Sequence, residues 1–409
     1  MRTSAFLYPW DVVGDPAAAQ RIADLGVQQV TLASAYHSTR ALTPRHPGHR
    51  IMAARHSAVY YPPDPRRWAD RALRPQVQGW MPGDDPFGEA AARLREAGLR
   101  VHSWVVLAHN SRLGADHPGT SVRNAYGDPY PWAPCIARQE VLDHLVDLAA
   151  EAAARPGAEG TELESCGWYG LAHLHAHDKI SGVPLGGAAQ YLMSLCFCGD
   201  CRRGYEAAGA SAVELRAAVR TALEPLWRGE PPAAGDRPAA GDRPVRDARS
   251  AEWAEVERLL GADLAGVTLA HRAAVALRFQ QAAVAAVREA AGPGFRVMLH
   301  ADPAPHRSGP NPGVDPQRIL AAADGLVLPC TGGAEERAEI LRAVGPHRRL
   351  GSVLAANLTV VSGMGGRPGE LAAAAREATA LGAGELRLYH AGLASDQDLE
   401  LVRGALKEL

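Results

Sequence analysis

The sequence predicts a single (β/α)₈ barrel over residues 1–409. Three observations predict it. Short apolar runs typical of β-strands recur eight times, amphipathic stretches typical of helices separate them, and several of those stretches end in glycine, as helix C-termini do. Strands that alternate with helices indicate a parallel sheet, and eight such units indicate that the sheet closes into a barrel.

The predicted strands are short runs rich in Val, Leu and Ala. They cover residues 4–8, 29–33, 100–107, 161–165, 296–300, 325–329, 351–355 and 385–389. The helices predicted between them cover residues 16–25, 87–97, 140–154, 316–323, 334–344 and 368–381. At Ala97-Gly98-Leu99 a helix, its glycine cap and the next strand follow one another directly, which is typical of this fold.

Two long segments follow predicted strands. Residues 34–99 form a loop insertion after strand two, and residues 205–290 form a mainly helical insertion after strand four, with helices predicted over 212–227 and 251–290. Within the second insertion, residues 231–244 contain the sequence Ala-Ala-Gly-Asp-Arg-Pro twice and lack large apolar side chains, so we expect a flexible linker there. Loops that follow barrel strands lie on the catalytic face, where both insertions would cover a pocket.

Composition and charge exclude some classes of partner. The chain has a formal net charge of -2 and is 47% hydrophobic, so it offers no overall positive field for nucleic acid or an anionic membrane. No apolar run reaches the roughly 18 residues of a spanning helix, and the start lacks the pattern of a secretory signal. We therefore expect a cytoplasmic protein without nucleic-acid or membrane partners, whose oligomeric state stays open.

Two glutamates at the end of predicted strand four are the first catalytic candidates. Side chains alternate between the two faces of a strand, so Glu162 and Glu164 point the same way, about 7 Å apart along the backbone. Like charges in a confined site raise one of the two pKa values, which separates a general acid from a base or nucleophile. The alternative is that one of them pairs with a buried Arg or Lys.

Asp302 is the next candidate, because it follows predicted strand five in the sequence His300-Ala301-Asp302-Pro303. A carboxylate at the C-terminal end of a barrel strand is typical of a catalytic residue. The neighbouring proline leaves open that Asp302 only forms a turn.

Polar and aromatic side chains near the other strand ends form a candidate substrate site. Such a mixture suits a polyhydroxylated ligand, whose C–H faces stack on rings and whose hydroxyl groups need hydrogen-bond partners. The candidates are Tyr36, His37, Trp104, His109, Trp168, His300, Asn357 and His390. Strand four is followed by three histidines and a lysine, which are His173, His175, His177 and Lys179. The three histidines are open to two interpretations, as sugar contacts or as metal ligands.

Three cysteines lie close together as Cys196-x-Cys198-x-x-Cys201. With a fourth ligand such as Cys166 or a histidine they would form a closed structural zinc site, and Cys198 and Cys201 are the predicted ligands. The alternative is that Cys196 belongs to the core and the other two form a reduced pair. No phosphate-binding loop, dinucleotide fingerprint or serine nucleophile elbow is present, so the chemistry is expected to need no cofactor.

Several of these segments together resemble a group of uncharacterised bacterial glycoside-hydrolase-like barrel proteins. The resemblance rests on residues 124–130 with Cys135, on 163–168, on 177–179 and on 195–201 with Tyr205. It implies a barrel in which strand four supplies one catalytic carboxylate, Glu164, and a later strand supplies its partner, Asp302. The chain departs from common glycosidase patterns where strands six and seven end in Cys330 and Asn357, positions at which several barrel families have the second acid.

The sequence thus favours a glycosidase acting on a carbohydrate or a glycosylated small molecule, with Glu164 as nucleophile or base and Asp302 as acid. If only Glu162 and Glu164 are acidic, a substrate-assisted route is expected instead. Two alternatives stay open. One is a metal-dependent barrel isomerase or hydrolase that uses the cluster His173, His175 and His177, and the other is a catalytically inactive sugar-binding barrel.

Overall fold

The computed structural model describes residues 1–171, 179, 182–183, 185–230 and 248–409, with Ala248 described by its backbone only. Eight parallel strands form a sheet in which each strand pairs with the next and the first also pairs with the last, so the sheet closes into a barrel. The prediction of a (β/α)₈ barrel is confirmed. The strands are β1 Arg2–Leu7, β2 Gln29–Tyr36, β3 Arg100–Val106, β4 Gly160–Glu164, β5 Arg296–His300, β6 Gly325–Pro329, β7 Val353–Thr359 and β8 Glu385–Tyr389.

Helices surround the barrel and fill the longer connections. In chain order they are α1 Ala18–Ala23, α2 Pro65–Trp68, α3 Pro86–Glu96, α4 Ser111–Asp116, α5 Gln139–Ala153, α6 Gly187–Met193, α7 Gly199–Ala207, α8 Ala212–Trp227, α9 Ala248–Leu260, α10 Ala262–Ala291, α11 Pro316–Ile319, α12 Ala334–Val344, α13 Leu371–Ala380 and α14 Asp396–Lys407. In the described part of the chain, none of them is both long and apolar enough to cross a membrane.

Local sequence explains why these elements form where they do. Helix α3 begins with a proline at its first position, and the side chain of Asp85 accepts a hydrogen bond from the Gly88 amide at 2.9 Å, which caps the helix. Its buried side chains include Phe87 and Leu94, spaced to face the barrel. Gly98 follows with a φ of 81°, a left-handed conformation that turns the chain into β3 at low cost.

Three excursions leave the C-terminal ends of the strands. After β2, a hairpin pairs Thr39–Leu42 with Ile51–Ala54. After β3, a second hairpin pairs Ser121–Arg123 with Pro129–Pro134, whose prolines obscure the strand pattern and left it unpredicted. After β4 come helices α6 to α10, which begin at Gly187, before the start of the predicted insertion 205–290, and the predicted linker 231–244 lies outside the described residues.

Two of the differences between predicted and observed boundaries follow from the conformation of a glycine. The helix predicted over 251–290 is divided into α9 and α10 at Gly261, whose φ of 78° cannot continue a helix. The seventh strand begins at Val353 rather than at Gly351, because Gly351 has a φ of 84° and belongs to the preceding turn.

The inside of the barrel contains a buried ion pair. The Arg387 guanidinium on β8 donates to the Glu162 carboxylate on β4 at 2.6 Å, and both side chains are fully buried. Thr31 donates to the same carboxylate oxygen at 3.2 Å, and Arg387 also lies 3.0 Å from Glu385. Buried charges are tolerated only when they are paired and hydrogen-bonded. The charges that β4 and β8 place inside the barrel therefore compensate one another.

This pairing decides the protonation state of Glu162. Burial acts to raise the pKa of its carboxyl group, but Arg387 and His300 outweigh burial and lower the pKa to about 2. The carboxylate is therefore charged at any pH at which the protein is expected to work. The ion pair's contribution to stability is complete above the ordinary glutamate pKa of 4.5 and is lost as the pH falls toward about 2.

We expect Glu162→Gln to lower the free energy of unfolding by about 3–5 kcal/mol, because it leaves the Arg387 guanidinium buried without a counter-charge. Urea denaturation at pH 7 measures the change. Glu159→Gln is the matched control, since Glu159 pairs with Arg100 on the surface with 45% and 41% side-chain exposure, and such a pair contributes less than about 1 kcal/mol. Equal losses in the two variants would contradict the importance of the buried pair.

Candidate active site

A cleft of about 810 Å³ opens at the C-terminal ends of the barrel strands. Its buried lining residues come from the ends of β1, β2, β4 and β8 and include Tyr8, Tyr36, Glu164 and His390. Its more exposed lining residues come from the hairpin after β2 and from the loops after β5 and β7, and include Arg40, Leu42, Asn311 and Met364. This is the face on which barrel enzymes carry their active sites.

Glu164 is the last residue of β4 and is 2% exposed. Its Oε2 accepts hydrogen bonds from the Trp104 indole at 2.9 Å and from the Tyr389 hydroxyl at 3.1 Å. Its Oε1 accepts no hydrogen bond from the residues that the structure describes. Because Glu164 lines the cleft, Oε1 is the atom it offers to a ligand.

The environments of the two glutamates separate their pKa values. Burial raises the pKa of Glu164, and His300 together with the hydrogen bonds from Trp104 and Tyr389 reverses that effect only in part. Glu162, on the same face of β4 as the alternation predicted, is held ionised by Arg387. The sequence predicts that repulsion between the two carboxylates separates their pKa values. In the structure, burial is the largest influence on the pKa of Glu164, and the charge of Glu162 is a smaller one.

His300 lies between the two carboxylates. Its Nε2 is 3.4 Å from Glu162 Oε2, its Nδ1 is 3.8 Å from Glu164 Oε2, and the residue is 1% exposed. Neither His300 nor Trp104, which is fully buried, lines the cleft. The structure therefore corrects their predicted role as substrate contacts, because both side chains lie beneath the cleft and support Glu164.

A chain of hydroxyl groups runs along the cleft beside Glu164. The Tyr8 hydroxyl lies 3.0 Å from the Tyr36 hydroxyl and 3.0 Å from His390 Nδ1. Burial lowers the pKa of His390 to about 3, so its ring is neutral near pH 7. His390 has a φ of 62°, a left-handed conformation that costs on the order of 1–3 kcal/mol in a residue other than glycine and is typical of functional sites.

His37 and His109 continue this aromatic surface. His37 lines the cleft, and its ring lies 4.2 Å from the Tyr36 ring and 4.4 Å from the His109 ring. His109 in turn stacks on Tyr169 at 4.1 Å and does not line the cleft. Of the predicted substrate contacts, the cleft thus brings together Tyr36, His37 and His390.

Tyr8 and Tyr389 complete the buried part of the cleft, although neither was a predicted site residue. Tyr8 follows β1 directly, and Tyr389 ends β8 and donates to Glu164. Their position at strand ends was the available signal, since the same criterion selected Tyr36 and His390.

Asp302 does not line the cleft. The Arg249 guanidinium on α9 holds both of its carboxylate oxygens, with contacts of 2.7, 2.9 and 3.0 Å, and the Ala304 amide donates to Oδ1 at 2.9 Å. The prediction of Asp302 as the second catalytic acid is therefore corrected, because its oxygens are used in an ion pair and in a turn. The turn-forming alternative describes it better.

The remaining predicted contacts are also away from this cleft. The Trp168 indole donates to the Arg272 carbonyl of α10 at 2.9 Å and is 4% exposed, so Trp168 anchors that helix rather than a ligand. Asn357 is 6% exposed and does not line the cleft. Lys179 is exposed and does not line it either, while His173, His175 and His177 lie outside the described residues.

A cluster of four buried cysteines lies outside the cleft. The sulfur atoms of Cys135, Cys196, Cys198 and Cys201 lie within 4.8 Å of one another, and no disulfide joins them. Cys135 comes from the hairpin after β3 and supplies the fourth sulfur, instead of the predicted Cys166 or histidine. Four thiolates at tetrahedral spacing, about 3.8 Å between sulfurs for zinc–sulfur bonds near 2.3 Å, are the donor set of a structural zinc site.

We propose that this cluster binds one zinc ion and joins the hairpin after β3 to the segment before α7. The backbone contacts support this, since the Arg123 amide donates to the Cys196 sulfur at 3.4 Å and the Phe197 amide to the Arg123 carbonyl at 2.7 Å. Such a site would be structural rather than catalytic, because a zinc ion with four cysteine ligands has no open position for a substrate.

We expect the purified protein to contain about one equivalent of zinc by inductively coupled plasma mass spectrometry. Cys135→Ser and Cys198→Ser should each lose the metal and lower the melting temperature, because a structural zinc ion contributes directly to folding. Cys166→Ser is the matched control, since Cys166 is also buried and free but lies outside the cluster. Zinc retained in Cys135→Ser, or absent from the wild type, would disprove the site.

The comparisons with known proteins agree with the fold. No protein-family model matches the chain, and no curated protein matches it. Among solved structures, it is similar to the PgaB (BpsB) glycoside hydrolase domain from Bordetella bronchiseptica, with a TM-score of 0.57, 13% identity and coverage of 99% of this chain and 98% of that one. It is also similar to the catalytic domain of a beta-amylase from Paenibacillus polymyxa, with a TM-score of 0.54, 12% identity and coverage of 99% and 97%.

A further similar structure is alpha-L-fucosidase isoenzyme 2 from Paenibacillus thiaminolyticus, with a TM-score of 0.54, 14% identity and coverage of 100% of this chain. The chain spans about half of that protein, 49% of its length. At these identities the likeness concerns the fold. The chain shares a (β/α)₈ barrel fold with these structures, and its function has to be argued from its own residues.

Proposed function

We propose that the protein is a glycoside hydrolase in which Glu164 is the general acid. The observation that carries the proposal is a buried carboxyl group with a raised pKa at the bottom of the cleft, with one oxygen available to a ligand. A carboxyl group whose pKa is raised keeps its proton to a higher pH, and protonation of a leaving sugar oxygen requires such a proton. The glycoside-hydrolase-like fold supports this interpretation.

The neighbours of Glu164 suit this role. The Trp104 indole and the Tyr389 hydroxyl fix Oε2, so the carboxyl group cannot rotate freely and Oε1 faces the cleft. Glu164 then donates its proton to the glycosidic oxygen as the bond from that oxygen to the anomeric carbon breaks. A water molecule adds to the anomeric carbon and returns a proton to the carboxylate, which completes hydrolysis.

Glu164 is the only carboxylate among the described residues that line the cleft. Asp302 is held by Arg249, and Glu162 by Arg387. We therefore favour a substrate-assisted route, in which a neighbouring group of the sugar attacks the anomeric carbon and Glu164 acts first as acid and then as base. Such a route retains the configuration of the anomeric carbon.

The other groups in the cleft suit a sugar. Tyr8, Tyr36 and His390 present hydroxyl and imidazole groups, and Asn311 lines the cleft with an Oδ1 that has no hydrogen-bond partner among the described residues. Aromatic rings beside these groups offer faces on which the C–H face of a sugar stacks.

A catalytically inactive sugar-binding barrel is the second candidate. The absence of a second carboxylate from the described cleft lining favours it, because the usual two-carboxylate mechanisms need one. This second candidate would bind sugars without hydrolysing them, and that is the measurable difference from a glycoside hydrolase.

We expect Glu164→Gln to reduce kcat/KM by about 10²–10⁴-fold on methyl or phenyl glycosides, the usual contribution of a general acid. A panel of gluco, galacto, fuco and N-acetylglucosamine glycosides identifies the substrate. The loss should be much smaller on 2,4-dinitrophenyl glycosides, because that leaving group departs without a proton. This dependence on the leaving group is a sign of an acid rather than of a structural residue.

Asp302→Asn is the matched control for this experiment. We expect it to lower the melting temperature, since it breaks the pair with Arg249, and to leave kcat/KM within about threefold of the wild type at a temperature where both are folded. Activity retained in Glu164→Gln on poor leaving groups, or lost in Asp302→Asn, would refute the assignment. Sugar binding without turnover in the wild type would favour the inactive barrel.

The pH profile provides an independent test. An acid must be protonated to act, so kcat/KM should fall as the pH rises through the pKa of Glu164, which lies above the ordinary value of 4.5. Glu162 adds no transition in that range, because its pKa is about 2. The side-chain ¹³C resonance of Glu164 measures the same pKa without substrate. A value at or below 4.5 would contradict the proposed role.

A further inference from the structure

A second pocket adjoins the cleft on the side of the hairpin after β2. It has a volume of about 440 Å³ and is lined by Ser38, Arg55, His56, Ser111 and Arg112. Ser38 also lines the cleft, so the two spaces share this lining residue. We call it the basic pocket, and the chemistry proposed for Glu164 makes no use of it.

The charges of the basic pocket have one sign. No carboxylate is among the described residues that line it. Arg55 is exposed and has no hydrogen bond or ion pair with the part of the chain that the structure describes. Arg112 contacts Asp116 at 2.6 Å through its Nε, with 48% and 39% side-chain exposure, so the terminal nitrogens of its guanidinium remain available.

This concentration of positive charge is local, because the whole chain has a net charge of -2. Arg40, which is exposed and lines the cleft, adds a third guanidinium on the same side. Arg55 and Arg112 share no acidic partner, so an anion that reaches both of them meets two positive charges.

We propose that the substrate is an anionic saccharide, whose sulfate or carboxylate group binds in the basic pocket while a neighbouring sugar ring lies at Glu164. This inference rests on the proposed glycosidase function and adds the substrate class. A guanidinium group binds planar or tetrahedral oxyanions through two parallel hydrogen bonds, and the hydroxyl groups of Ser38 and Ser111 donate further ones.

The lining chemistry favours an anion over a neutral sugar at this position. Neutral sugar rings bind on aromatic faces, and Tyr, Trp and Phe are absent from the described lining of the basic pocket. The aromatic surface is confined to the cleft itself, around Tyr8, Tyr36 and Tyr389. The cleft therefore recognises the sugar ring, and the basic pocket recognises the charged group.

The test measures binding to Glu164→Gln protein by isothermal titration calorimetry, so that turnover does not interfere. One pair of probes is a sulfated carrageenan tetrasaccharide and its desulfated form. The other is tri-galacturonic acid and its methyl ester. The members of each pair share one sugar backbone and differ in whether it carries the anionic group, and the two pairs distinguish a sulfate from a carboxylate.

We expect the charged member of at least one pair to bind at least about tenfold more tightly, and this preference to weaken with added salt. Adding Arg55→Gln and Arg112→Gln should abolish the preference without changing the melting temperature, since both residues are exposed. Arg93→Gln, an exposed arginine paired with Glu89 on α3, is the control that should keep it.

Equal binding of both members of each pair would overturn the inference, and so would a preference that survives the loss of both arginines. These outcomes are separate from failure of the proposed function. Turnover of glycosides by the wild type, together with equal binding of both members of each pair, would refute the basic pocket and leave the glycosidase standing. Arginine-dependent binding of a charged probe, with no turnover of any glycoside by the wild type, would refute the glycosidase and leave the pocket standing.

Discussion

The buried ion pair between Arg387 and Glu162 is the interaction on which the candidate site depends. It allows one carboxylate to remain charged inside the barrel, because the guanidinium replaces the water that burial removes. His300 lies between that carboxylate and Glu164. Glu164 has no cation at hydrogen-bond distance in the described structure, so burial dominates and its pKa rises. The pKa values of two glutamates two residues apart are thus shifted in opposite directions.

The residues around Glu164 have two roles, since some hold its carboxyl group and others line the cleft. Trp104 fixes Glu164 from beneath the cleft, Tyr389 both fixes Glu164 and lines the cleft, and Tyr8, Tyr36 and His390 line it beside them. The excursions after β2, β3 and β4 are attached in different ways. Arg45 of the first bonds backbone carbonyls after β8, including that of Gly392 at 2.8 Å. The second and third meet at the cysteine cluster. The proposed acid lies on a barrel strand, and the loops form the walls around it.

Sequence reasoning succeeded where the relevant physics is local. The alternation of side chains along a strand was enough to place Glu162 and Glu164 on one face, and glycines after amphipathic stretches were enough to locate most strands. It failed for Asp302 and Trp168, whose partners Arg249 and Arg272 lie on helices of the insertion after β4. A strand-end position predicts the direction of a side chain but not the partner that it meets.

The sequence by itself determined the barrel and the direction in which its strand-end side chains point, because helix and strand periodicities depend on neighbouring residues. Only the tertiary structure decided which glutamate has the lowered pKa, since Arg387 reaches Glu162 across 225 positions of sequence. The same holds for the cysteine cluster, to which Cys135 comes from a different loop, and for the basic pocket, where Arg55 follows the hairpin after β2 and Arg112 lies on α4. Closure of the barrel brings these groups together, and a pattern read along the chain contains no information about such pairings.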